Sequence, residues 1–149
     1  MTVYQELQLS SAGSKNLIRR SENKEEKNIH ILGKISHDEV LKLLGKTTIF
    51  VNPSAFSEGL PTSILEAGIM NCAVVATPMG GTTEIISNDD IGYICGFETD
   101  EILEKIEKLI KNKEEIEKLS ININKKVKEQ FSWDITAKKI AETINYKKQ

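Results

Sequence analysis

The chain has 149 residues, 39% of them hydrophobic, and its 20 basic and 22 acidic side chains give a net charge of -2. This length predicts one domain with one core, and the charge balance lacks the basic excess of a nucleic-acid-binding protein. The apolar runs are only a handful of residues long, whereas a membrane-spanning helix needs roughly 20. The first residues contain no basic segment followed by an apolar one, so we expect no secretory signal and a cytoplasmic protein.

Neither the cysteines nor the histidines form a metal or redox motif. Cys72 and Cys95 stand in apolar, strand-like surroundings without CxxC spacing, which favours reduced core thiols over a disulfide or a reactive site. His30 falls inside a predicted strand and His37 in a predicted capping turn, and neither has a second ligand at metal spacing. We therefore expect no metal or cofactor, and structural roles for both histidines.

Five short runs of apolar and β-branched residues, each ending in a turn, predict β-strands. The predicted strands are Glu6–Ala12, Asn28–Leu32, Thr48–Asn52, Ala73–Thr77 and Gly92–Cys95. The runs around Val51 and Val75 are apolar throughout, as in a parallel sheet that is buried on both faces.

Helices are predicted between these strands. Lys15–Lys27 is mostly polar and indicates a short exposed helix. Ser36 and Glu39 form a capping box for a helix over Asp38–Leu44, which Gly45 ends.

Two more helices are predicted to begin directly after strands. Pro61 is predicted to be a first helical residue, because its fixed φ suits a helix and its missing N–H would have no partner there. Gly80 and Gly81 turn the next strand into a helix that Thr82 is expected to cap. These glycines could serve only as a turn, or they could also contribute to a ligand site.

From Asp100 onward, apolar residues recur at helical spacing and predict three amphipathic helices. Their stripes are Ile102, Leu103, Ile106, Leu109 and Ile110; then Ile116, Leu119, Ile123 and Val127; and finally Ile135, Ala137, Ile140, Ala141 and Ile144. Breaks at Asn112-Lys113 and at Phe131–Asp134 separate them. Glu and Lys alternate along the first two helices, which predicts a solvated outer face.

The alternation of strands and helices predicts an α/β fold: a Rossmann-like, mainly parallel sheet with helices on both faces. Such sheets bind ligands in the crevice outside the carboxyl ends of their strands, where helix N-termini favour anions. The stretch from Ile49 to Ile86 places two strand ends side by side. We therefore expect an anion-binding crevice there.

Glu58 and Glu66 are the candidate functional carboxylates of this stretch. Their separation of eight residues means little in a glutamate-rich chain, but their placement differs. Glu58 precedes Pro61 in the loop, while Glu66 lies about 7.5 Å along the helix axis. They could bind different parts of one elongated ligand but are poorly placed as the acid and base of a hydrolase. The alternative is that Glu58 is a solvated loop residue and Glu66 an exposed helix residue.

Several motifs occur together in this chain. They are Asn52-Pro53-Ser54, Glu58-Gly59-Leu60-Pro61-Thr62, Leu65-Glu66-Ala67, Val74-Val75-Ala76-Thr77 and Gly80-Gly81 with Glu84. This set resembles the donor-binding, C-terminal half of the retaining GT-B glycosyltransferases, the large group 1 or family 4 class. Outward, the resemblance includes Ile31-Leu32-Gly33, Gly92-Tyr93-Ile94 and Phe131-Ser132-Trp133, so it covers nearly the whole chain. It implies that residues 1–149 are one nucleotide-sugar-binding domain, a single GT-B half.

The resemblance also implies roles for individual residues. Glu58 would be the catalytic residue, in contact with the transferring sugar, and Glu66 would bind the ribose hydroxyls of a nucleotide-diphosphate sugar. The implied donor-binding residues are Gly59, Leu60, Pro61, Thr62, Glu66, Gly33, Lys34, Ile35, Gly80 and Gly81. Amides near Gly59 and Leu60 would face the diphosphate, which suits a helix N-terminus, and the turn at Gly33 would border the nucleobase. No metal is expected.

The chain departs from the family pattern in two places. Ile69, Asn71 and Ala73 stand where the family usually has a small residue, glycine and proline; asparagine can adopt the left-handed conformation, so we expect the turn to form. The family's first strand, with its diphosphate-binding Arg and Lys, has no counterpart before Glu6. That strand would be central, so its flanking strands either pair directly or leave exposed edges.

The resemblance implies a partner domain as well. An acceptor-binding domain would lie in a missing N-terminal portion, through which a peripheral membrane association is possible, in polysaccharide biosynthesis. We expect residues 1–149 alone to bind donor weakly and to transfer no sugar. The alternatives are a non-catalytic sugar-nucleotide-binding or interaction module left from a truncated glycosyltransferase and, less favoured, a non-hydrolysing sugar-nucleotide epimerase.

Overall fold

The computed structural model describes residues 3–4, 32–56 and 59–146. Its strands are β1 (Val3–Tyr4), β2 (Ile49–Asn52), β3 (Ala73–Ala76) and β4 (Tyr93–Ile94). Its helices are α1 (His37–Leu44), α2 (Thr62–Ile69), α3 (Thr82–Ile85), α4 (Thr99–Ile110), α5 (Lys113–Gln130) and α6 (Trp133–Tyr146). None of the helices in these ranges combines the length and the apolar character that a membrane span requires.

The four strands form one parallel sheet in the order β1-β2-β3-β4. Each pair is in simple register, with Ile49 opposite Ala73 and Val75 opposite Tyr93. The predicted α/β class with a parallel sheet is therefore confirmed. It follows that all carboxyl ends of the strands, and the loops after them, lie at one edge of the sheet.

The strand beside β2 differs from the prediction. It is β1, Val3–Tyr4, in the segment before Glu6 where no strand was predicted, so the expectation of no strand there was wrong. The predicted strand Glu6–Ala12 and helix Lys15–Lys27 lie outside the described residues, as does Asn28–Leu32 except for Leu32, which is not in a strand.

Both faces of the central strands are buried, as predicted. Phe50, Val74 and Ala76 face one core cluster, which α1, α2 and the later part of α5 cover. The alternate residues, including Ile49 and Val75, face a second cluster covered by α4 and the first turns of α5. Because side chains alternate along a strand, short runs such as Ala73–Ala76 serve both cores at once.

Helix α5 completes both clusters. Ile116 and Leu119 pack in the second cluster, whereas Ile123 and Val127 pack in the first, and all four are buried as predicted. The first turns of α5 therefore pack on one face of the sheet and its later turns on the other. Asn112 is the N-cap of α5, and its side-chain oxygen accepts a hydrogen bond from the backbone N–H of Glu115 at 3.1 Å.

The stripe predicted for α4 was partly wrong. Ile102, Ile106 and Leu109 face the second cluster, but Leu103 and Ile110 are 49% and 47% exposed. Successive residues are rotated by about 100° around a helix, so Leu103 and Ile110 lie on the flank of the buried face. Apolar character alone did not separate the face from its flank.

Helix starts agree with the prediction to within one or two residues. Ser36 and Glu39 form the predicted capping box, with the Ser36 N–H donating to Glu39 Oε2 at 2.9 Å, and α1 begins at His37. Pro61, however, is the N-cap of α2 rather than its first residue. Thr82 does not cap α3; Gly81 is the N-cap, and Thr82 is the buried first helical residue.

The break before α6 is shorter than predicted. Phe131 and Ser132 separate the two helices, but Trp133 and Asp134 already belong to α6. Trp133 is exposed, and in the predicted terminal stripe Ile135 is half-buried while Ala137, Ile140, Ala141 and Ile144 are exposed. Most of the stripe therefore does not pack on the described part of the domain.

Candidate functional site

The loops that follow β2 and β3 meet at the carboxyl edge of the sheet. The backbone N–H of Gly81 donates a hydrogen bond to the carbonyl oxygen of Gly59 at 2.8 Å. A Cβ atom on Gly81 would lie only 2.9 Å from Leu60 Cδ1 and 3.2 Å from the Gly59 oxygen. Glycine is thus required at position 81 for the two loops to approach. The structure brings together four predicted site residues here: Gly59, Leu60, Gly80 and Gly81.

The bases of these two loops are also fixed to each other. Thr77, just after β3, is buried, and its hydroxyl donates a hydrogen bond to the carbonyl oxygen of Ser54, just after β2. The carbonyl oxygen of Asn52, the last residue of β2, lies 3.4 Å from the same hydroxyl and accepts the backbone N–H of Thr77 at 3.2 Å. Gly80 has a φ of +53°, a left-handed conformation that glycine adopts without strain. The loop after β3 therefore turns sharply back toward the loop after β2.

Helix α2 begins in this meeting place. Pro61 is buried and extended at the N-cap, and its carbonyl oxygen accepts the N–H of Ile64 at 3.2 Å. Within the described residues no side chain caps α2, and its first turn holds no acidic residue. Thr62 is exposed. The partial positive charge of this helix end is thus directed at the two glycine loops without a carboxylate of its own first turn to offset it.

Glu66 lies one turn further along α2 and faces α1. Its side chain is 28% exposed, and Oε1 is 3.9 Å from Nδ1 of His37. His37 opens α1 directly after the turn of Gly33, Lys34 and Ile35, in which Gly33 has a φ of +62°. The contact between His37 and Glu66 therefore places the predicted nucleobase-side turn and the predicted ribose-binding residue on neighbouring elements.

A contact of His37 with a candidate site residue was not predicted. The sequence placed His37 correctly in a capping turn, but nothing in the local pattern indicates which distant side chain it meets. That depends on how α1 packs against α2. If α1 and α2 were known to be neighbours, the position of His37 at the exposed start of α1 would indicate a contact with α2.

A groove of about 470 Å³ extends from this pair along α1, α2 and the junction of α5 with α6. Its lining includes His37, Leu41, Leu65, Glu66, Ile69 and Phe131. The groove is therefore polar where His37 and Glu66 line it and mainly apolar along α1 and α2, and Lys128 and Ser132 line its other end.

A second cavity of about 440 Å³ lies beyond the ends of β3 and β4, lined by Pro78, Cys95, Glu101, Glu104 and Lys105 among others. Glu101 is engaged by the backbone, since its Oε2 accepts the N–H of Gly96 at 2.7 Å. Burial, followed by the charge of Glu101, raises the pKa of the Cys95 thiol. The Cys95 thiol donates to the carbonyl oxygen of Ala76 at 3.4 Å, so Glu101 and Cys95 both have partners within the chain.

The cysteines are free and buried, as predicted. Burial raises the pKa of Cys72 to about 12, and its thiol donates to the carbonyl oxygens of Leu44 and Thr47 at 3.5 Å. A thiol with a raised pKa carries little of the reactive thiolate form near neutral pH. Cys72 and Cys95 are therefore core residues.

Two parts of the predicted site remain predictions. Glu58, the expected catalytic residue, lies outside the described residues. Across ranges 32–56 and 59–146, His, Cys, Asp and Glu side chains do not gather into a group of three that could hold a metal ion. That observation leaves the expectation of metal-independent chemistry as it stood.

A parallel sheet covered on both faces, with glycine loops meeting at its carboxyl edge, is the architecture of Rossmann-like ligand-binding domains. The profile of one family, described as glycosyl transferases group 1, matches residues 4–126. The chain belongs to this family.

Relatives of known name or structure agree with this assignment. The chain is 35% identical over 98 residues to N,N'-diacetylbacillosaminyl-diphospho-undecaprenol alpha-1,3-N-acetylgalactosaminyltransferase of Campylobacter jejuni, a match covering 65% of the chain and 24% of that protein. It is 26% identical to the solved C-terminal domain of a glycosyl transferase group 1 family protein from Francisella tularensis, with a TM-score of 0.68 over 80% of this chain and 60% of that one.

A third likeness is in the fold alone. The structure of HepE from Anabaena, solved in complex with UDP, superposes with a TM-score of 0.78 at 21% identity, covering 89% of this chain and 36% of that one. The chain thus spans less than two thirds of the length of each of these three relatives.

Proposed function

We propose that this chain is the donor-binding, C-terminal domain of a retaining GT-B glycosyltransferase and that it binds a nucleotide-diphosphate sugar. The observation that carries the proposal is the hydrogen bond between Gly81 and Gly59, which joins the two glycine loops beside the start of α2. Membership of the group 1 family supplies the chemistry. A diphosphate is the kind of group that such a helix start favours.

The proposed roles are those that the resemblance to the family implies. Glu58 contacts the transferring sugar, and the amides of Gly59, Leu60 and Thr62, after Pro61, face the diphosphate. Gly80 and Gly81 form the opposite wall of the same crevice. Glu66 binds the ribose hydroxyls.

The nucleobase is assigned to the turn formed by Gly33, Lys34 and Ile35. The contact of His37 with Glu66 supports this assignment, because it places the turn next to the ribose-binding carboxylate. Uridine nucleotides are the first candidates, since HepE of Anabaena was solved with UDP.

We further propose that residues 1–149 transfer no sugar by themselves. The departing diphosphate must be stabilised, and a helix end contributes only about 0.3 to 1 kcal/mol at an exposed site. An acceptor-binding domain elsewhere in a longer protein would supply the remaining groups and any contact with a membrane. Incubation of the purified chain with labelled donors and an acceptor panel tests this, and turnover by the chain alone would contradict it.

The cytoplasm is the compartment we propose. The described cysteines are both free and buried, which is consistent with a reducing environment.

Replacing Glu66 tests the proposed donor site. Glu66→Ala is expected to weaken UDP binding roughly tenfold or more, because a charged hydrogen bond contributes about 1.5 to 3 kcal/mol. Titration calorimetry measures the affinity. Glu129→Ala is the matched control, since Glu129 is exposed near the end of α5.

Unchanged UDP affinity in the Glu66→Ala variant would contradict the assignment. An equal loss in the Glu129→Ala variant would do the same, because it would show that the effect depends on net charge. If Glu66→Ala weakens UDP binding and Glu129→Ala does not, calorimetry with several nucleotides would identify the preferred base.

A further inference from the structure

Asn124 of α5 holds the C-terminal end of α2. Its side-chain amide donates hydrogen bonds to the carbonyl oxygens of Gly68 at 3.1 Å and Ile69 at 2.8 Å. Asn124 is only 8% exposed. The Gly68 oxygen also accepts the backbone N–H of Asn71 at 3.1 Å. The Ile69 oxygen belongs to the last carbonyl groups of the helix, which have no partners within it, and the buried Asn124 amide supplies its donor.

The backbone of α2 and the side chains of α5 are in close contact at the same point. A Cβ atom on Gly68 would lie 3.1 Å from Ile123 Cγ1 and 3.1 Å from Val127 Cγ2. Any larger residue at position 68 would require these two side chains to shift by a few tenths of an ångström, so glycine favours this close approach of the helices. Asn124 lies between these two residues in the sequence of α5 and fixes the rotation of α2 at the contact.

This joint lies two residues beyond Glu66. Because Glu66 lies only about 3 Å along the helix axis from this end, a tilt of α2 would barely move it. A rotation of α2 about its axis has a larger effect, because side chains reach about 5 to 6 Å from the axis. A rotation of about 20° would move the Glu66 carboxylate by about 2 Å, which is enough to misplace it.

We propose that Asn124 is a positioning residue for donor binding, which acts by fixing the orientation of α2 and thereby the placement of Glu66. The inference rests on the proposed function, since it takes Glu66 to be a donor ligand. It adds a residue from outside the crevice and from the opposite end of the helix. Asn124 itself does not contact the nucleotide sugar.

A double-mutant cycle tests the inference. UDP affinity is measured by calorimetry for the unmodified chain, E66A, N124D and the double variant. Asn124→Asp keeps the shape of the side chain but replaces the donor amide by an acceptor. We expect N124D to weaken UDP binding by about threefold to thirtyfold when Glu66 is present, and by much less in the E66A background.

Asn122→Asp is the matched control. Asn122 lies on the same helix, but its amide donates to the carbonyl oxygen of Asp90 at 2.8 Å, on a loop that is not part of α2. We expect N122D to leave UDP affinity unchanged. Circular dichroism sets a temperature at which every variant is folded, and N124A replaces N124D if the latter does not fold.

The possible outcomes separate the two proposals. An equal factor for N124D with and without Glu66 would overturn the inference and leave Asn124 with a purely structural role, as would an equal effect of N122D. If E66A itself had no effect on UDP affinity, the proposed donor site would fail first, and the inference with it.

Discussion

Gly81 is the residue on which the meeting of the two loops depends most. Gly81→Ala is expected to lower the free energy of unfolding by about 1 to 3 kcal/mol, because its Cβ would press on the backbone of the neighbouring loop. Gly59→Ala is the control, since a Cβ there meets no atom of the described residues within 4 Å. Urea denaturation measures both, and equal effects of the two substitutions would contradict the described loop contact.

Glu39 makes the stability of α1 dependent on pH. Its hydrogen bonds with the side chain and backbone of Ser36 lower the pKa of the carboxyl group below its ordinary value of 4.5. The contribution is therefore fully present above pH 4.5 and is lost as the pH falls through the lowered pKa.

Glu39→Gln isolates the charge, because glutamine still completes a capping box. We expect the unmodified chain to be more stable than the variant near neutral pH, and the difference to shrink as the pH falls below 4.5. Thermal unfolding at several pH values measures it. A difference that does not vary with pH would show that the Glu39 charge contributes nothing.

Local chemistry predicted some residues well and others not at all. The capping box of Ser36 and Glu39 depends only on a four-residue spacing, and the turn at Asn71 forms with a φ of +61°, as expected from its tolerance of the left-handed conformation. The pairing of His37 with Glu66 depends on helix packing, which no local pattern encodes. Asn124 was missed for the same reason.

Among the elements, α5 contributes to both cores and fixes α2. Ile123→Ala is expected to cost about 2 to 5 kcal/mol of unfolding free energy, since Ile123 is completely buried against Gly68 and its neighbours. Ile121→Ala is the matched control, because Ile121 is 64% exposed. It is expected to change stability by no more than about 0.5 kcal/mol. Similar losses in chemical denaturation would contradict the described packing of α5.

Elements with a strong periodic pattern were predicted well. The buried strands β2 and β3 and the helices α4 and α5 were found close to their predicted ranges. The two-residue strand β1 has no pattern of its own, because its place is set by pairing with Ile49 and Phe50 of β2. Pairing between distant segments is information that a short local run does not contain.

In the whole molecule, the location of the candidate site follows from topology. Parallel strands place every carboxyl end at one edge, so the glycine motifs after β2 and β3 had to become neighbours. The sequence could therefore predict which loops meet. It could not predict the atoms of contact between Gly59 and Gly81, which depend on the exact path of both loops.

The position at which UDP binds to this chain is the most direct test of the proposed donor site. In an NMR titration of the 149-residue chain, we expect saturable shifts of the backbone amides of Gly59, Leu60, Thr62 and Gly81. The amides of α6 should not move. Shifts centred instead on the cavity around Glu101 and Lys105, or no saturable shifts at all, would contradict the claim that the two glycine loops form a donor site.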